Sequence, residues 1–555
     1  MPKVRSRLIV GLLALTLAPF ISNSNTNAQR SAIDTYAITN ARIVTVSGPV
    51  IERGTVVIRN GLIAAAGANV NAPPDARVID GNGLTVYPGL IDAYTDLALP
   101  EASPSPSPGG GGGGGFFAAP PPRPVGGPNS TQPVGLQPEV MVEDVIRPGG
   151  NEIESARNIG ITTALTSPRT GIWMGQSALI NLSGDTPQAM IVRSPVAMHV
   201  GFTPLRGTYP GSLMGVFATL RQMMLDAQRY RDSMQIYERN PRGIRRPDTD
   251  RSLAALVPVI EGRMPVVMLV NSEREITRAL DLASEFKLRL IVAGGRESDR
   301  VAERLAKQNV PVLLSLNLPR RTTAALPEAD PEPLRVLRER VEAQQTAGKL
   351  AKAGVRFAFQ SGSLTDMSEL MVNARHVIEN GLPAADAVRA FTIWPAQILG
   401  VESQLGSIEA GKIANLTVTR GDLFDRNSRV AHVFIDGRPV DLRPAAGGPS
   451  RSSLSGTWIV TVNLGQGDKA IALNLQQEGD RLTGAISGPL GAGEISNASV
   501  AGGVEVRFTV VLNVEGQTKE ATFAGRLANN EIRGSVTIVG AAPGTFTAMR
   551  SGQPN

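Results

Sequence analysis

The chain contains no cysteine, only three histidines and few aromatic residues, 4% of its 555 positions. Without cysteine there is no disulfide, no thiolate nucleophile and no thiolate-bound metal. Three histidines leave little material for a serine–histidine triad, and Ser361 and Ser363 sit in no Gly-x-Ser-x-Gly elbow. A low aromatic content beside an ordinary 42% apolar fraction argues against a membrane protein of many spans. A strong charge of one sign is missing too. The formal charge of +6 includes Lys3, Arg5 and Arg7, and without those three it is +3, nearly neutral for this length. No lysine–arginine run is interleaved with aromatics, so the composition gives no footprint for nucleic acid.

What is present begins with an address. Basic residues at 3, 5 and 7, an apolar run from Leu8 to Ile21 and a small-residue end at Thr26-Asn27-Ala28 form the pattern of a secretory signal peptide. The run is short for a membrane span. The expectation is cleavage after Ala28 and export to the periplasm or medium with no stable transmembrane span; the alternative is retention as an N-terminal anchor. A large exported chain without disulfides must be held by core packing, which its length allows.

From residue 33 to 87 short apolar runs alternate with turns, and Asn60-Gly61 is a strong hairpin signal because it supplies positive φ angles. From residue 101 to 138 glycine, proline and serine dominate, a composition expected to stay disordered because it cannot offset its ordering entropy. Between Ile153 and Phe359 strand-like runs such as Val266–Val270, Arg289–Ala293 and Val310–Leu316 alternate with amphipathic segments, predicting parallel strand–helix units. Ser272 and Glu275 spell a capping box for a helix running to Phe286. Val216, Phe217, Leu220, Met223, Met224 and Ala227 fall at helical spacing and read as core packing. A Pro/Gly/Ser linker at 443–455 precedes an all-β domain at 456–551, with seven short strands over Thr457–Asn463, Ala470–Gln476, Leu482–Ser487, Val504–Asn513, Glu520–Leu527, Glu531–Ile538 and Thr545–Arg550.

The central stretch is Val86-Tyr87-Pro88-Gly89-Leu90-Ile91-Asp92-Ala93-Tyr94-Thr95-Asp96. It reads as a strand entered through a Pro-Gly turn, and residues two apart on a strand share a side, so Tyr94 and Asp96 are expected to project together. The stretch resembles the first barrel strand of the amidohydrolase superfamily of imidazolonepropionase-like metal-dependent hydrolases, P-G-[LF]-I-D-x-H-x-H. Further motifs resemble the family in order: Ala387–Ala396 with Leu399-Gly400, Leu405-Gly406-Ser407-Ile408-Glu409-Ala410-Gly411-Lys412-Ile413-Ala414-Asn415-Leu416 with Asn415 in an aspartate slot, and Val433–Gly437. The resemblance covers residues 33 to 442. It implies a (β/α)8 TIM-type barrel over 88–395 flanked by a composite β-sandwich whose halves are 33–87 and 396–442, followed by the C-terminal lipocalin-like barrel or sandwich.

The family hydrolyses non-peptide carbon–nitrogen bonds with zinc or another divalent metal, and the resemblance locates the slots for its ligands. Tyr94 and Asp96 stand in the first histidine pair. Leu269 and Asn271 replace a second imidazole pair, Gly294 replaces a third-strand histidine and Gly362 replaces the last-strand aspartate. Leu269, Gly294 and Gly362 have no side-chain donor atom. The expectation is therefore a protein without a metal cofactor and a catalytically degenerate member, serving as a non-catalytic subunit or binding module. The alternative is an active hydrolase of amides, dipeptides or esters with an atypical or metal-free site. His199, in the strand-like Ala197–Val200, reads as a core histidine that could face the cavity; His376 and His432 read as surface or structural residues. Asp92 and Asp96 could hold a hard cation weakly. Expected partners are an intact amidohydrolase paralogue or a second copy of the chain, with a small molecule in the barrel cavity as a further option.

Overall fold

The structure is a computed structural model that describes residues 35–100, 132–205, 207–319, 333–362, 364, 366–442, 454 and, in the C-terminal part, 456–463, 468–478, 481–488, 491–501, 505–514, 517–528, 531–538 and 544–550. The signal-peptide segment 1–28, residues 101–131 of the low-complexity insertion, Ser363 and all of the 443–455 linker except Leu454 lie outside the described residues.

Five strands open the chain: β1 (Thr35–Ile43), β2 (Ile51–Arg59), β3 (Leu62–Gly67), β4 (Arg77–Asp80) and β5 (Leu84–Pro88). The β2–β3 hairpin turns at Asn60 and Gly61, both at positive φ, as the Asn-Gly signal predicts. Gly89 then carries the chain out of the sandwich: a Cβ there would overlap Thr162, so only glycine fits the turn. The barrel strands follow as β6 (Leu90–Thr95), β7 (Ile161–Thr166), β8 (Trp173–Gln176), β9 (Ala178–Asn181), β10 (Ile191–Arg193), β11 (Met198–Gly201), β12 (Val266–Val270), β13 (Leu290–Gly294), β14 (Val312–Ser315) and β15 (Phe357–Gln360). The chain then returns as β16 (Leu416–Arg420), β17 (Arg429–Ile435) and β18 (Arg438–Val440).

Both ends of this region build one sheet, in the order β18-β17-β16-β5-β1-β2-β3 with β4 beside β1. Val418 lies opposite Val86 and Leu416 opposite Pro88, so the returning half docks on the strand that leads into the barrel. Tyr36, Ile38, Val56, Ile58, Val86, Leu416 and Phe434 form its core.

In the barrel, β6 and β7 are parallel, and β11 through β15 form a parallel run. The gap between β7 and β11 is bridged by one bent antiparallel strand: β9 pairs with β7 and β8 pairs with β11. β15 lies beside β6 without a backbone ladder. That seam is fastened by Asp92, whose Oδ1 accepts the Ser361 amide at 2.9 Å, and by the Ser361 and Thr95 hydroxyls at 3.3 Å. Alternation sorts the strands into two faces. Met198, Val200, Val266, Met268, Val292 and Phe357 pack outward under the helices, while Ile91, Ala197, Val267, Ile291, Leu313 and Ala358 fill the interior.

The helix Glu273–Phe286 opens with the reciprocal Ser272–Glu275 capping box and buries Ile276, Ala279, Leu280 and Ala283. The methionine-rich stripe lies on the helix Leu213–Arg239, burying Val216, Leu220, Met223, Met224 and Ala227. No described helix is long and apolar enough to cross a membrane. Where the chain resumes at Gln132 it is packed rather than loose. Leu136 and Gln137 are buried, Gly135 O accepts from Ile172 and Trp173, and Val140 O accepts from Gln176 at 2.8 Å. The expected disordered stretch to 138 is thus corrected for 132–138, where apolar Leu136 and Val140 with backbone pairing to β8 compensate the ordering entropy.

The C-terminal strands are β19 (Gly456–Asn463), β20 (Asp468–Glu478), β21 (Arg481–Gly488), β22 (Gly491–Ala501), β23 (Glu505–Val514), β24 (Gln517–Ala528), β25 (Glu531–Ile538) and β26 (Gly544–Arg550). They form a closed antiparallel barrel in sequence order, with β26 pairing back on β19. Seven of these strands are legible in the sequence. The eighth, β22, carries only Ile495 and Val500 as β-branched residues and escapes the alternation test. Trp458, Phe508, Phe523 and Phe546 fill the interior, Phe508 and Phe523 stacked at 4.9 Å and Phe523 edge-on to Phe546 at 5.2 Å.

Candidate functional site

At the C-terminal ends of the parallel strands the predicted residues separate. Tyr94 is 1% exposed, whereas the Asp96 side chain is 60% exposed. They do not project together as strand alternation predicts. The β6–β7 register slips between Asp92 and Thr95, and β6 ends at Thr95, so Asp96 lies beyond the pleat that would align it. One residue that the sequence reading missed connects them: the Arg169 guanidinium lies 5.4 Å from the Tyr94 ring centroid, and its Nε is 3.7 Å from Asp96 Oδ1.

Tyr94 also stacks on His199, with ring centroids 5.4 Å apart and planes 24° from parallel. His199 lies opposite Val267 on the interior-facing row, so the expected core histidine is also the one at the cavity end. Burial pushes the Tyr94 phenol up to about 12, against the opposing pull of Arg169, and pushes the His199 imidazole down to about 3. Both side chains are therefore neutral near pH 7. Neither the Tyr94 hydroxyl nor either His199 nitrogen has a hydrogen-bond partner among the described residues; the neighbouring Ser167 hydroxyl donates to the Pro168 carbonyl instead.

Leu269 is half-buried against the interior cluster, and Asn271 is exposed with its backbone amide donated to Glu275 at 3.0 Å. Gly294 has φ +88°, and a Cβ there would stand 2.6 Å from Asn271 Oδ1 and 3.0 Å from the Val270 carbonyl. At Gly362 a Cβ would overlap the Gln360 Oε1. The Gln360 amide has thus moved into the space where a residue-362 side chain would begin. Its Nε2 donates to the Leu313 carbonyl at 3.3 Å, and its Oε1 is buried without a partner among the described residues. Gln360 is the second residue missed; its signal is its place two positions before Gly362 on the same strand face.

Asp92 is fully buried and serves the barrel seam. Burial raises its carboxyl to about 6, opposed by hydrogen bonds from Ser361 and Tyr94. Its Oδ1 faces Ser361 while Asp96 faces Arg169, so the expected weak cation pair of Asp92 and Asp96 is not assembled. His376 lies 3.5 Å from Glu379 on an exposed helix, and His432 is half-buried in β17. Among the described residues no three His, Cys, Asp or Glu side chains come close enough to share a metal. A phenol held protonated, a single carboxylate facing Arg169, a leucine, two glycines and an amide do not fit a divalent hydrolytic ion, which needs several imidazole or carboxylate lone pairs together.

Residues 277–440 match the Amidohydrolase family. N-acetylglucosamine-6-phosphate deacetylase of Haemophilus influenzae is 36% identical over 78 residues, 14% of this chain and 19% of that protein. Imidazolonepropionase of Idiomarina loihiensis is 51% identical over 49 residues, 8% of this chain and 12% of that one. The chain thus spans under a fifth of the length of these curated relatives. The crystal structure of an amidohydrolase from Thermotoga maritima superimposes with a TM-score of 0.61 at 24% identity, over 73% of this chain and 99% of that chain, a likeness of fold. The family match runs from the helix before β13 to β18, and the sheet built from both chain ends beside a strand–helix barrel is the fold of the Thermotoga maritima amidohydrolase.

Proposed function

We propose that this protein is a catalytically degenerate amidohydrolase, exported from the cell, that acts as a non-catalytic subunit or binding module. The observation that carries the reading is the state of the ligand slots. Leu269, Gly294 and Gly362 carry no metal donor, Asp96 faces Arg169 instead, and the backbone at two of the slots is shaped around glycine, by a left-handed φ at Gly294 and by the Gln360 amide against Gly362. A fold that keeps its framework without this chemistry keeps its surfaces and its cavity for use. An intact paralogue is the partner best suited to such a chain, because a subunit that binds only the folded form stabilises it by mass action.

The test is elemental analysis of the purified full chain together with hydrolysis assays on cyclic amides, dipeptides and esters. The reading expects well under one zinc, manganese or iron per chain, no turnover, and an intact amidohydrolase retained on purification from the native periplasm. Stoichiometric metal surviving dialysis would sink it. Turnover by the isolated, chelator-treated chain would replace it with a metal-free hydrolase.

A further inference from the structure

The outer helix layer carries a groove of about 530 Å³ between the helix Leu213–Arg239 and the helix Glu273–Phe286. Its apolar wall is Leu213, Met214, Phe217 and Ala218, neighbours on one helix face at three- and four-residue spacing. The wall is fixed from beneath, where Phe217 stands edge-on to buried Phe202 at 4.7 Å. Arg221 Nε donates to both Glu285 oxygens, at 3.0 and 2.8 Å, and ties the two helices together. A groove braced in this way needs little ordering when it is filled.

Its rim is apolar as well. Met214 is 85% exposed, and Tyr209 and Leu225, shortly before and after it in the chain, are 65% and 52% exposed. Large apolar side chains standing in water beside an apolar groove mark a contact surface, and methionine adapts to what it meets. With Met214 open to solvent the groove does not enclose a small molecule. A polypeptide that also covers the rim would bury these side chains.

The charges select the partner's chemistry. Arg221 is held by Glu285, and the Asp281 carboxylate accepts from Arg304 at 2.7 Å. Arg278 is left. Its guanidinium lies over the Phe217 ring, 5.6 Å from the centroid, without a carboxylate partner among the described residues. A half-buried guanidinium on an apolar wall gains most from a carboxylate whose apolar neighbours keep water from the pair. The chain's own insertion does not supply one. From Ala102 to Pro138 it has no acidic residue, and its one charge, Arg123, has the wrong sign.

We propose that this groove docks a partner polypeptide through a segment with a glutamate or aspartate between apolar residues, the carboxylate pairing with Arg278. The surface lies outside the barrel interior and stands whether or not the ligand slots hold a metal.

The experiment isotope-labels the methionine methyl groups of the full-length protein and follows Met214 by NMR, its signal identified by its loss in Met214→Leu. The probes are the peptide acetyl-Ala-Leu-Glu-Phe-Ala-amide and the same peptide with glutamine for glutamate. Buried Met223 and Met224, on the same helix, report on folding. The expected result is a saturable Met214 shift with a midpoint about tenfold lower for the glutamate peptide, the effect of one charge-assisted hydrogen bond. Arg278→Gln should raise that midpoint to the glutamine peptide's and leave the latter unchanged. Equal midpoints in the wild type, no saturable shift, or an equal loss for both peptides in Arg278→Gln overturns the proposal. So does a Met214 signal that moves with protein concentration alone, which would make a second copy the occupant. Binding seen only after deletion of residues 102–131 overturns it too, with the insertion as occupant. None of these outcomes touches the reading of the ligand slots, which elemental analysis decides.

Discussion

The core cluster described in the small antiparallel barrel is apolar, from Trp458 and Leu473 to Phe523 and Phe546, whereas the buried residues of the parallel barrel pass from Val267 and Ile291 to Tyr94, His199 and Gln360. An eight-stranded barrel can be filled by its own side chains or can hold one small ligand. Among its described side chains the antiparallel barrel packs aromatic rings against one another. The parallel barrel is filled below and unpaired above. Packing stabilises the first; the second keeps buried polar atoms without partners among the described residues.

The largest effect that tests this contrast is Phe523→Ala. Removing a ring that contacts both Phe508 and Phe546 should cost about 3–5 kcal/mol, read as a lowered thermal transition of the C-terminal barrel. The His199 nitrogen signals should not move. If they do, the two interiors are coupled and the comparison fails.

Next comes Gly294→His, the restoration of one family ligand. A side chain at φ +88°, with Asn271 Oδ1 2.6 Å from its Cβ, should lose roughly 1–3 kcal/mol in denaturant unfolding. Tyr94→His with Asp96→His should leave zinc below stoichiometric, because Leu269, Gly294 and Gly362 still supply no donor. Tight zinc binding by that double variant would show that the slots are closer to assembly than their geometry indicates.

The third test uses pH. His199 is lowered from 6.5 to about 3, so the unfolded chain binds its proton more tightly, and the stability it contributes above pH 6.5 is lost as pH falls toward 3. Asp92 is raised from 3.8 to about 6, so its contribution is present below pH 3.8 and is lost as pH rises through 6. The two oppose each other between pH 3.8 and 6. His199→Phe should therefore gain stability relative to wild type on acidification, and Asp92→Asn should lose it, each difference sloping by at most about 1.4 kcal/mol per pH unit. Chemical denaturation across pH 4–7 measures both; parallel profiles for variant and wild type would remove the buried-neutral assignment.

The smallest effect is Tyr94→Phe. Its hydroxyl has no partner among the described residues, so the change should alter stability by less than about 1 kcal/mol in denaturant unfolding. A larger loss would mean that the hydroxyl serves the fold.

Much of the framework was legible because its signals are local. Asn60-Gly61 demands its turn, Ser272 and Glu275 cap their helix, and Pro88-Gly89 leads into a strand wherever it is folded. The persistence of the 405–416 motif has a similar cause. Lys412 Nζ is buried against Ser407 Oγ at 2.6 Å, Gly406 sits at φ +92° beside Ala396, and Asn415 Nδ2 donates to Asn181 Oδ1 at 2.7 Å and Thr163 Oγ1 at 2.9 Å. These residues join sandwich to barrel, so losing them would damage the fold rather than an activity.

The sequence by itself determined the order of elements, the family framework and the chemistry missing from Leu269, Gly294 and Gly362, since a side chain without a donor atom lacks one in any conformation. Tertiary structure alone decided what took the place of that chemistry. The register slip in β6 turned Tyr94 inward and left Asp96 outside, Arg169 reached both from beyond β7, and Gln360 entered the space vacated beside Gly362. Each of these depends on pairing between strands far apart in the chain, where a one-residue slip changes which face a side chain meets.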